Sequence, residues 1–353
     1  MRVLITGGCG FVGSSLALAC RAAGHEVICL DSLMRRGSEL LLERIQAVGA
    51  TFVHGDIRQS DDLARVGPVD VLLECSAEPS VLAGTRGDGA RYMVDTNLGG
   101  CVHCLEFARR TGCGLIFLSS SRVYPYDYLL RGAYAETAER LEYAGGLQGV
   151  SPAGVSTACP LDGRRSLYGA TKLAGELLLQ EYADAFGVPA IINRCGVIAG
   201  PWQLGRSDQG FAAFWMARHY FNLPLRYIGF GGSGKQVRDI LHIDDLCALI
   251  GKQLAVLDRF RGEVFNAGGG RPGSVSLCEA TAICRSLTGR VLAITSEPAN
   301  RPADIPWFIT DSGQVVETFD WRPMRPAEQV FADIYRWIRE NEPLARRIFT
   351  AAS

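Results

Sequence analysis

The sequence predicts an α/β protein built on a doubly wound parallel sheet, with a smaller, discontinuous lobe toward the C-terminus. Short apolar runs alternate with helical segments of about ten to fifteen residues, a rhythm typical of βα units. The chain has 353 residues, which is long enough for two lobes. The first predicted strand is Arg2–Thr6, and a glycine-rich stretch follows it directly.

That stretch contains Gly7, Gly10 and Gly13, and apolar residues resume after it at Leu16. Glycines at this spacing permit a sharp turn, a close approach of the backbone to a pyrophosphate, and tight packing of the following helix. The helix N-terminus then favours the phosphate charge. We therefore predict a dinucleotide-binding Rossmann fold. Phe11 and Val12, between the second and third glycines, are included among the predicted cofactor-binding residues.

Composition excludes several classes of partner. The formal net charge is -1, which does not favour binding to a nucleic acid or an acidic membrane. No apolar run reaches transmembrane length, and the N-terminus enters the first strand without a signal sequence, so we expect a cytoplasmic protein. The twelve cysteines are scattered, and only Cys101 and Cys104 have CxxC spacing. They lack a second ligand pair, so no metal site is predicted.

The second predicted strand, His25–Leu30, ends at Asp31, eighteen residues after Gly13. A carboxylate at this distance accepts hydrogen bonds from the adenosine ribose and repels a 2′-phosphate, so NAD is favoured over NADP. Arg35 and Arg36 lie just downstream and could pair with such a phosphate, which leaves NADP as the alternative.

The remaining elements of the rhythm are four more strands and two long helices. The predicted strands are Thr51–His54, Val69–Glu74, Leu115–Leu118 and Pro189–Arg194, and the predicted helices are Asn97–Arg110 and Tyr168–Phe186. Residues 125–166 interrupt the rhythm and include a mixed helical patch at Glu136–Tyr143. A connection this long is usually functional or mobile, and we predict an insertion beside the active site, with a lid as the hypothesis.

The predicted domains are discontinuous. Residues 1–194 with 237–267 would form the NAD-binding Rossmann domain, including the 125–166 insertion, and residues 195–236 with 268–353 the substrate-binding lobe. Within the first, Val237–Ile250 is predicted to return to the sheet as a loop and helix, and Glu263–Ala267 as a strand.

Tyr168 and Lys172 are four residues apart on a predicted helix and therefore share a face. A phenol titrates near pH 10, too high for a base at neutral pH. An ammonium one turn away, together with a positive nicotinamide, favours the ionised phenol. Ser120, at the end of the neighbouring strand, would hold the substrate alcohol. The alternative reading of the pair is a solvated lysine beside a half-buried tyrosine.

The motifs TGGCGFVG, SSSRVY, YGATK and RCGVIAGPWQ together resemble the extended short-chain dehydrogenases/reductases, the family of nucleotide-sugar epimerases and dehydratases. The resemblance implies an NAD-dependent isomerase that oxidises a sugar carbinol transiently. It also implies a homodimer formed through the helices near 97–110 and 168–186. The implied catalytic residues are Ser120, Tyr168 and Lys172, and the implied NAD-binding residues are Gly7, Gly10, Phe11, Val12, Gly13, Asp31, Ser32, Asp56, Ile57, Ala77, Asn97, Tyr168 and Lys172.

Two segments in the second half, residues 207–215 and 232–245, are most similar to family members that invert C2 of a CDP-sugar. This resemblance implies that Arg238 and Arg301 hold the diphosphate, because a guanidinium fork matches phosphate oxygens. The other implied substrate-binding residues are Glu78, Ser121, Arg122, Gln209, Lys235 and Asp304. For Arg238, Arg301, Gln209 and Lys235 the alternative is a surface salt bridge. For Asp56, Ala77 and Asn97 the alternative is a turn or packing role.

Departures from the family pattern reduce the number of reactions that the protein is expected to catalyse. Ser121-Arg122 stands where the 4,6-dehydratases carry an Asp-Glu acid/base pair, so a dehydratase is disfavoured. Glu78 is either an extra acid/base or a helix cap. The alternatives to a CDP-sugar 2-epimerase are a UDP-sugar 4-epimerase, a net NAD-dependent nucleotide-sugar oxidoreductase, and an NAD-binding regulatory protein without turnover.

Overall fold

The computed structural model describes residues 1–85, 89–205 and 209–350. The strands, in chain order, are β1 (Arg2–Thr6), β2 (Glu26–Asp31), β3 (Thr51–His54), β4 (Val71–Glu74), β5 (Gly114–Ser120), β6 (Ala133–Glu136), β7 (Leu141–Gly145), β8 (Val150–Ser151), β9 (Gly154–Val155), β10 (Ala190–Cys195), β11 (Val197–Ala199), β12 (Leu225–Ile228), β13 (Val237–His242), β14 (Arg261–Ala267), β15 (Ser274–Ser276), β16 (Ile294–Glu297) and β17 (Trp307–Phe308).

The helices are α1 (Phe11–Ala22), α2 (Ser38–Ala47), α3 (Ser60–Ala64), α4 (Gly89–Val94), α5 (Gly100–Thr111), α6 (Tyr126–Leu129), α7 (Leu167–Phe186), α8 (Phe211–Tyr220), α9 (Ile243–Leu254), α10 (Leu277–Thr288), α11 (Gly313–Phe319), α12 (Ala327–Glu340) and α13 (Glu342–Phe349). A π-helical turn, Asp95–Gly99, leads into α5, and a 3₁₀ turn, Ser121–Val123, follows β5.

A seven-stranded parallel sheet has the strand order β14-β10-β5-β4-β1-β2-β3. From β1 the chain continues outward to β2 and β3, and it then returns to place β4 on the other side of β1. This change of direction is typical of doubly wound folds, so the predicted fold class is confirmed. Strands β1 and β4 read as continuous apolar runs because both of their faces are covered. One core cluster includes Leu4 and Leu72 from the sheet with Leu105 and Leu179 from the helices.

The chain divides into two compact units. The first comprises residues 1–123, 166–194 and 247–265, and the second comprises residues 124–165, 195–246 and 266–353. The second unit has its own mixed sheet, in which β13 pairs with β11, β15 and β17. Its core packs Trp215 and Met216 of α8 with Phe331 and Ile334 of α12. Residues 237–242, predicted to be part of a loop in the Rossmann domain, are therefore a central strand of the second unit.

The 125–166 insertion also differs from its prediction. It belongs to the second unit, and its predicted helical patch is the hairpin β6–β7. The hairpin forms because its side chains find partners far away in sequence: Tyr143 stacks on Trp307, and Arg140 pairs with Glu279. A second hairpin, β8–β9, is joined to the same unit by the hydrogen bond from the Val155 amide to the Ile309 carbonyl.

Among the described residues, no helix has the length and apolar character needed to cross a bilayer. All twelve cysteines lie in the described part of the chain, and all are free thiols. Cys101 and Cys104 lie inside α5 and are buried, and burial raises the pKa of the Cys101 thiol to about 12. These two residues therefore pack the core as neutral thiols.

Candidate active site

The loop between β1 and α1 has the geometry of a phosphate cradle. The Gly10 amide donates to the Gly7 carbonyl at 2.9 Å, and α1 begins at the next residue with no side chain capping it. A Cβ on Gly13 would lie 2.2 Å from the Gly7 carbonyl oxygen, and Gly7 has a φ of +64°. Phe11 and Val12 form the first turn of α1. The glycines are therefore required, and the helix N-terminus is open to an anion.

Asp31 lies at the end of β2, and its carboxylate accepts from the amide of Cys9 in the glycine loop at 3.0 Å. Its other oxygen accepts from the Leu33 amide at 2.8 Å, across Ser32. Burial raises the pKa of Asp31, and these two amides act against that rise. A carboxylate fixed beside the glycine loop matches the residue that holds an adenosine ribose in dinucleotide-binding folds. The loop and Asp31 together fit NAD.

Asp56 and Ile57 follow β3. Asp56 forms an ion pair with Arg58 at 2.5 Å, and the hydrogen bond from Arg58 lowers the pKa of the carboxyl group. Ile57 is buried against Gly100, where a Cβ would come within 2.3 Å of its Cδ1. The structure thus gives Asp56 a salt-bridge partner and gives Ile57 a role in packing. Their predicted contacts with NAD stay predictions.

Asn97 holds the chain that follows β4. Its Oδ1 accepts from the Glu78 amide at 2.7 Å, and its Nδ2 donates to the Glu78 carbonyl at 3.1 Å. The Glu78 carboxylate in turn accepts from the Ser80 amide, so it closes a local turn. Asn97 is buried in the π-helical turn, and such turns often occur at functional sites. Ala77, one residue before Glu78, is half-buried.

The predicted catalytic residues lie on two elements that pack together. Ser120 ends β5, and its hydroxyl accepts from the Arg122 amide at 3.1 Å. Tyr168 and Lys172 lie on α7, which packs against β5 and against the 3₁₀ turn after it. Ser166 caps α7 by accepting from the Gly169 amide, which places Tyr168 in the first turn.

Lys172 is only 2% exposed, and its environment was not predicted from the sequence. Its Nζ lies 3.3 Å from Oε2 of Glu74, the last residue of β4, and 4.5 Å from the ring centroid of Phe117. Burial lowers the pKa of Lys172, but Glu74 together with Tyr168 and Cys101 outweighs this effect, so the net pKa is raised. The alternative of a solvated lysine is therefore wrong.

A second buried ion pair lies one turn further along α7. The Glu176 carboxylate accepts from Nη2 of Arg194 at 2.7 Å and from the hydroxyl of Ser119. Glu176 and Arg194 are 1% and 5% exposed, respectively. Helix α7 is thus held on strands β4 and β10 by buried ion pairs and on β5 by the Ser119 hydroxyl.

Ser121 and Arg122 form the 3₁₀ turn after β5, directly beyond Ser120, and both are half-buried. Neither side chain is a carboxylate, so this turn carries no acid/base pair of the dehydratase type. The position is consistent with contacts to a substrate held at Ser120. Those contacts stay a prediction.

The second unit contains a cavity of about 300 Å³. Arg301 and Asp304 lie in its wall, together with Arg218 and Arg226 and with aromatic side chains from α8, Phe211, Phe214 and Trp215. Arg238 is outside this lining and pairs with Asp304 at 2.6 Å. The structure therefore brings two of the predicted substrate residues to the cavity and connects a third to it through a carboxylate.

Two further predicted substrate residues have other surroundings. The Lys235 ammonium binds the Glu136 carboxylate at 2.7 Å and the Thr137 carbonyl at 2.8 Å, both on the insertion hairpin. Gln209 is half-buried directly before α8. Ser207 and Asp208, the first two residues of the motif that contains Gln209, lie outside the described residues.

The glycine loop, Asp31 and the Ser120–Tyr168–Lys172 arrangement define the class of protein, an NAD-dependent short-chain dehydrogenase/reductase. The chain belongs to the NAD-dependent epimerase/dehydratase family, whose model matches residues 3–268. The predicted cofactor, NAD, is that of the family and is confirmed, as is the epimerase class of enzyme.

The chain is similar in sequence to CDP-paratose 2-epimerase of Salmonella typhi, with 31% identity over 96% of this chain and 99% of that protein. It is 26% identical to UDP-glucose 4-epimerase of Erwinia amylovora over 97% of this chain and 98% of that one. Among solved structures, dTDP-glucose 4,6-dehydratase from Streptomyces venezuelae, with NAD bound, has a TM-score of 0.78 and 27% identity, covering 99% of this chain and 100% of that chain.

Proposed function

We propose that this protein is an NAD-dependent epimerase that inverts C2 of a CDP-linked sugar. The observation that carries the proposal is the buried Lys172 on the same helix face as Tyr168, packed against the strand that ends in Ser120. The full-length similarity to CDP-paratose 2-epimerase supports the choice of nucleotide and of carbon.

Gly7, Gly10, Gly13 and Asp31 would hold NAD, which supplies a reversible acceptor for hydride. Tyr168 accepts the proton of the sugar hydroxyl through its ionised phenol, and the adjacent positive charge of Lys172 stabilises that phenolate. Ser120 donates or accepts a hydrogen bond at the same hydroxyl and so orients it. In the return direction, Tyr168 gives the proton back to the sugar oxygen.

The chemistry of the sugar restricts which carbon is oxidised. A carbonyl group acidifies only the carbons next to it, so a ketone at C4 acts on C3 and C5 and leaves C2 untouched. Inversion of C2 therefore requires a ketone at C2 itself or at C3. We propose oxidation at C2 itself, because inversion then needs only removal and return of hydride. The C2 ketosugar must present its opposite face before reduction, so the site must allow it to turn.

We assign recognition of the nucleotide to the cavity of the second unit. Aromatic side chains from α8 suit a base, and Arg218, Arg226 and Arg301 supply positive charge for a diphosphate. Arg238 then acts through Asp304, whose carboxylate it neutralises. Removal of Arg238 leaves that carboxylate unpaired beside the phosphates, so its loss still raises KM.

The proposal is tested by incubating the purified protein with CDP-, UDP-, dTDP- and GDP-sugars and following the sugar protons by NMR. Inversion of C2 in CDP-paratose supports the proposal. Conversion of a UDP-sugar at C4 instead makes the protein a 4-epimerase, steady accumulation of NADH makes it a net oxidoreductase, and no turnover with any sugar supports a regulatory protein.

A further inference from the structure

The last residue of β4 is an acid inside an otherwise apolar strand. Glu74 is 2% exposed, and it lies beside Phe117 in the β4–β5 register. A buried carboxylate costs free energy unless it is paired and hydrogen-bonded. Its partner is Lys172, at 3.3 Å, and the Ser76 amide also donates to it. Strand β4 therefore ends in an ion pair with the catalytic helix.

We infer that Glu74 is a positioning residue of the catalytic site, whose carboxylate keeps the Lys172 ammonium protonated and directed along the sheet edge toward Tyr168 and the cofactor. This inference rests on the roles proposed above for Tyr168 and Lys172, and is independent of which sugar is bound.

The surroundings of Lys172 explain why it needs this partner. The ammonium lies over the face of Phe117, which offers a weak attraction and no hydrogen bond. Gly175, one turn further on, allows α7 to approach this ring, because a Cβ there would lie 3.0 Å from it. A lysine buried in such surroundings favours its neutral form unless an anion is adjacent. A neutral Lys172 would no longer stabilise the phenolate of Tyr168.

The other titratable groups that face the pair do not replace Glu74. They are Tyr168 on α7 and the thiols of Cys101 and Cys104 on α5. Burial raises the pKa of Cys101 to about 12 and that of Cys104 well above its usual value, so both thiols are uncharged at working pH. Burial raises the pKa of Glu74, and Lys172 and the Ser76 amide act against that rise by favouring the carboxylate. Before Tyr168 ionises, the Glu74 carboxylate is thus the group that pairs with the Lys172 ammonium.

The test uses Glu74→Gln, which keeps the size and one oxygen but removes the charge. Binding of NAD⁺ to the cofactor-stripped protein and kcat are both measured from about pH 6 to about pH 10, a range that spans the tyrosine and lysine transitions. We expect the high-pH loss of NAD⁺ affinity, and of kcat, to move down by about 1 pH unit or more, as for removal of an opposite charge at this distance.

Two further variants separate charge from stability. Glu176→Gln breaks the neighbouring buried pair on the same helix, so this variant loses stability. The pH above which its NAD⁺ affinity and kcat fall, called the high-pH limit below, should stay unchanged. Glu74→Asp keeps the charge, so we expect it to have the high-pH limit of the wild type and a lower kcat. It also provides a second measurement if Glu74→Gln does not fold.

An unchanged high-pH limit in Glu74→Gln, or an equal shift in Glu176→Gln, would overturn the inference. If Glu74→Asp is the only folded Glu74 variant, a limit shifted as far as that predicted for Glu74→Gln overturns it in the same way. The NAD⁺ measurement does not need turnover. A shifted binding limit in a protein that converts no nucleotide sugar would sink the proposed function and leave the role of Glu74 standing.

Discussion

Arg194 and Glu176 form an ion pair at 2.7 Å that joins the end of β10 to the middle of α7. Both side chains are buried, and three hydrogen bonds connect the guanidinium to the carboxylate. The Ser119 hydroxyl donates to the same carboxylate from β5. The helix that carries Tyr168 and Lys172 is thus fixed to the sheet one turn away from its reactive groups.

Replacing Glu176 with Gln should destabilise the protein strongly. The variant leaves Arg194 charged and without its carboxylate in the protein interior, and breaking a buried pair in this way typically costs about 3 kcal/mol or more. Urea unfolding followed by circular dichroism measures the difference. Glu181→Gln, at an exposed position of the same helix, is the control and should unfold with the wild type. Equal unfolding midpoints for all three proteins would show that the pair is not stabilising.

A methyl group at Gly13 should abolish retention of NAD. The Cβ of Gly13→Ala would come 2.2 Å from the Gly7 carbonyl, so the turn that forms the phosphate cradle must open. The amount of NAD released on denaturation of the purified protein measures the effect. Gly251→Ala is the matched control: it lies in α9 with nothing within 4 Å of the added methyl group. Its NAD content should be unchanged, whereas a full NAD content in Gly13→Ala would contradict the assigned site.

Asp239 makes the stability of the protein depend on pH. It is fully buried on β13, and burial raises its pKa from 3.8 to about 6. The folded state therefore holds the proton more tightly than the unfolded state, and this group's contribution is lost as the pH rises from about 4 to about 6. The pKa difference of about 2 units corresponds to about 3 kcal/mol.

Asp239→Asn is neutral at every pH and does not lose this contribution. We expect its free energy of unfolding, relative to wild type, to rise between pH 4 and pH 6 and to level off above that. Thermal unfolding of the two proteins across this range measures the difference. A difference that is constant with pH would show that Asp239 does not titrate in this interval.

Exposed apolar side chains on α7 are consistent with the homodimer that the family resemblance predicts. Leu177 and Phe186 are 57% and 55% exposed on this helix. A charge placed there should separate the subunits, because a charged side chain buried in an apolar interface is costly. We expect Leu177→Arg to be a monomer in light scattering. Val291→Arg, at an apolar side chain that is 79% exposed in the second unit, should leave the dimer intact. A monomeric wild-type protein would contradict the assignment.

Local patterns in the sequence predicted the strands and helices around the glycine loop and Tyr168. Strand β3 has the predicted bounds, and α7 begins one residue earlier than predicted, because apolar runs and a serine cap mark such elements locally. Asp31 and Ser120 lie at the ends of β2 and β5, as the sequence pattern predicted. Glu74 can be seen in the sequence as an acid at the end of the apolar run VLLE, but its partner, Lys172, lies 98 residues away.

The elements that the sequence did not predict form through contacts with residues far away in the chain. Strand β13 pairs with strands that follow it by about 35 and 70 residues, so nothing adjacent to it marks it as a strand. The β6–β7 hairpin has a mixed pattern that fits a helix equally well, and it forms because Arg140, Tyr143 and Lys235 bring it onto the second unit. The helix α8, which supplies the aromatic wall of the cavity, was not predicted from the sequence.

Tyr168 is proposed to act as the base in reversible oxidation of a nucleotide-sugar carbinol. Proton NMR of CDP-paratose in deuterated water tests it most directly, with Tyr182→Phe on the same helix as the control for Tyr168→Phe. We predict that the wild type and Tyr182→Phe invert C2 without placing solvent deuterium at the inverted carbon, and that Tyr168→Phe loses the activity by a factor of about 10² or more. Inversion that proceeds unchanged in Tyr168→Phe would show that Tyr168 is not the base.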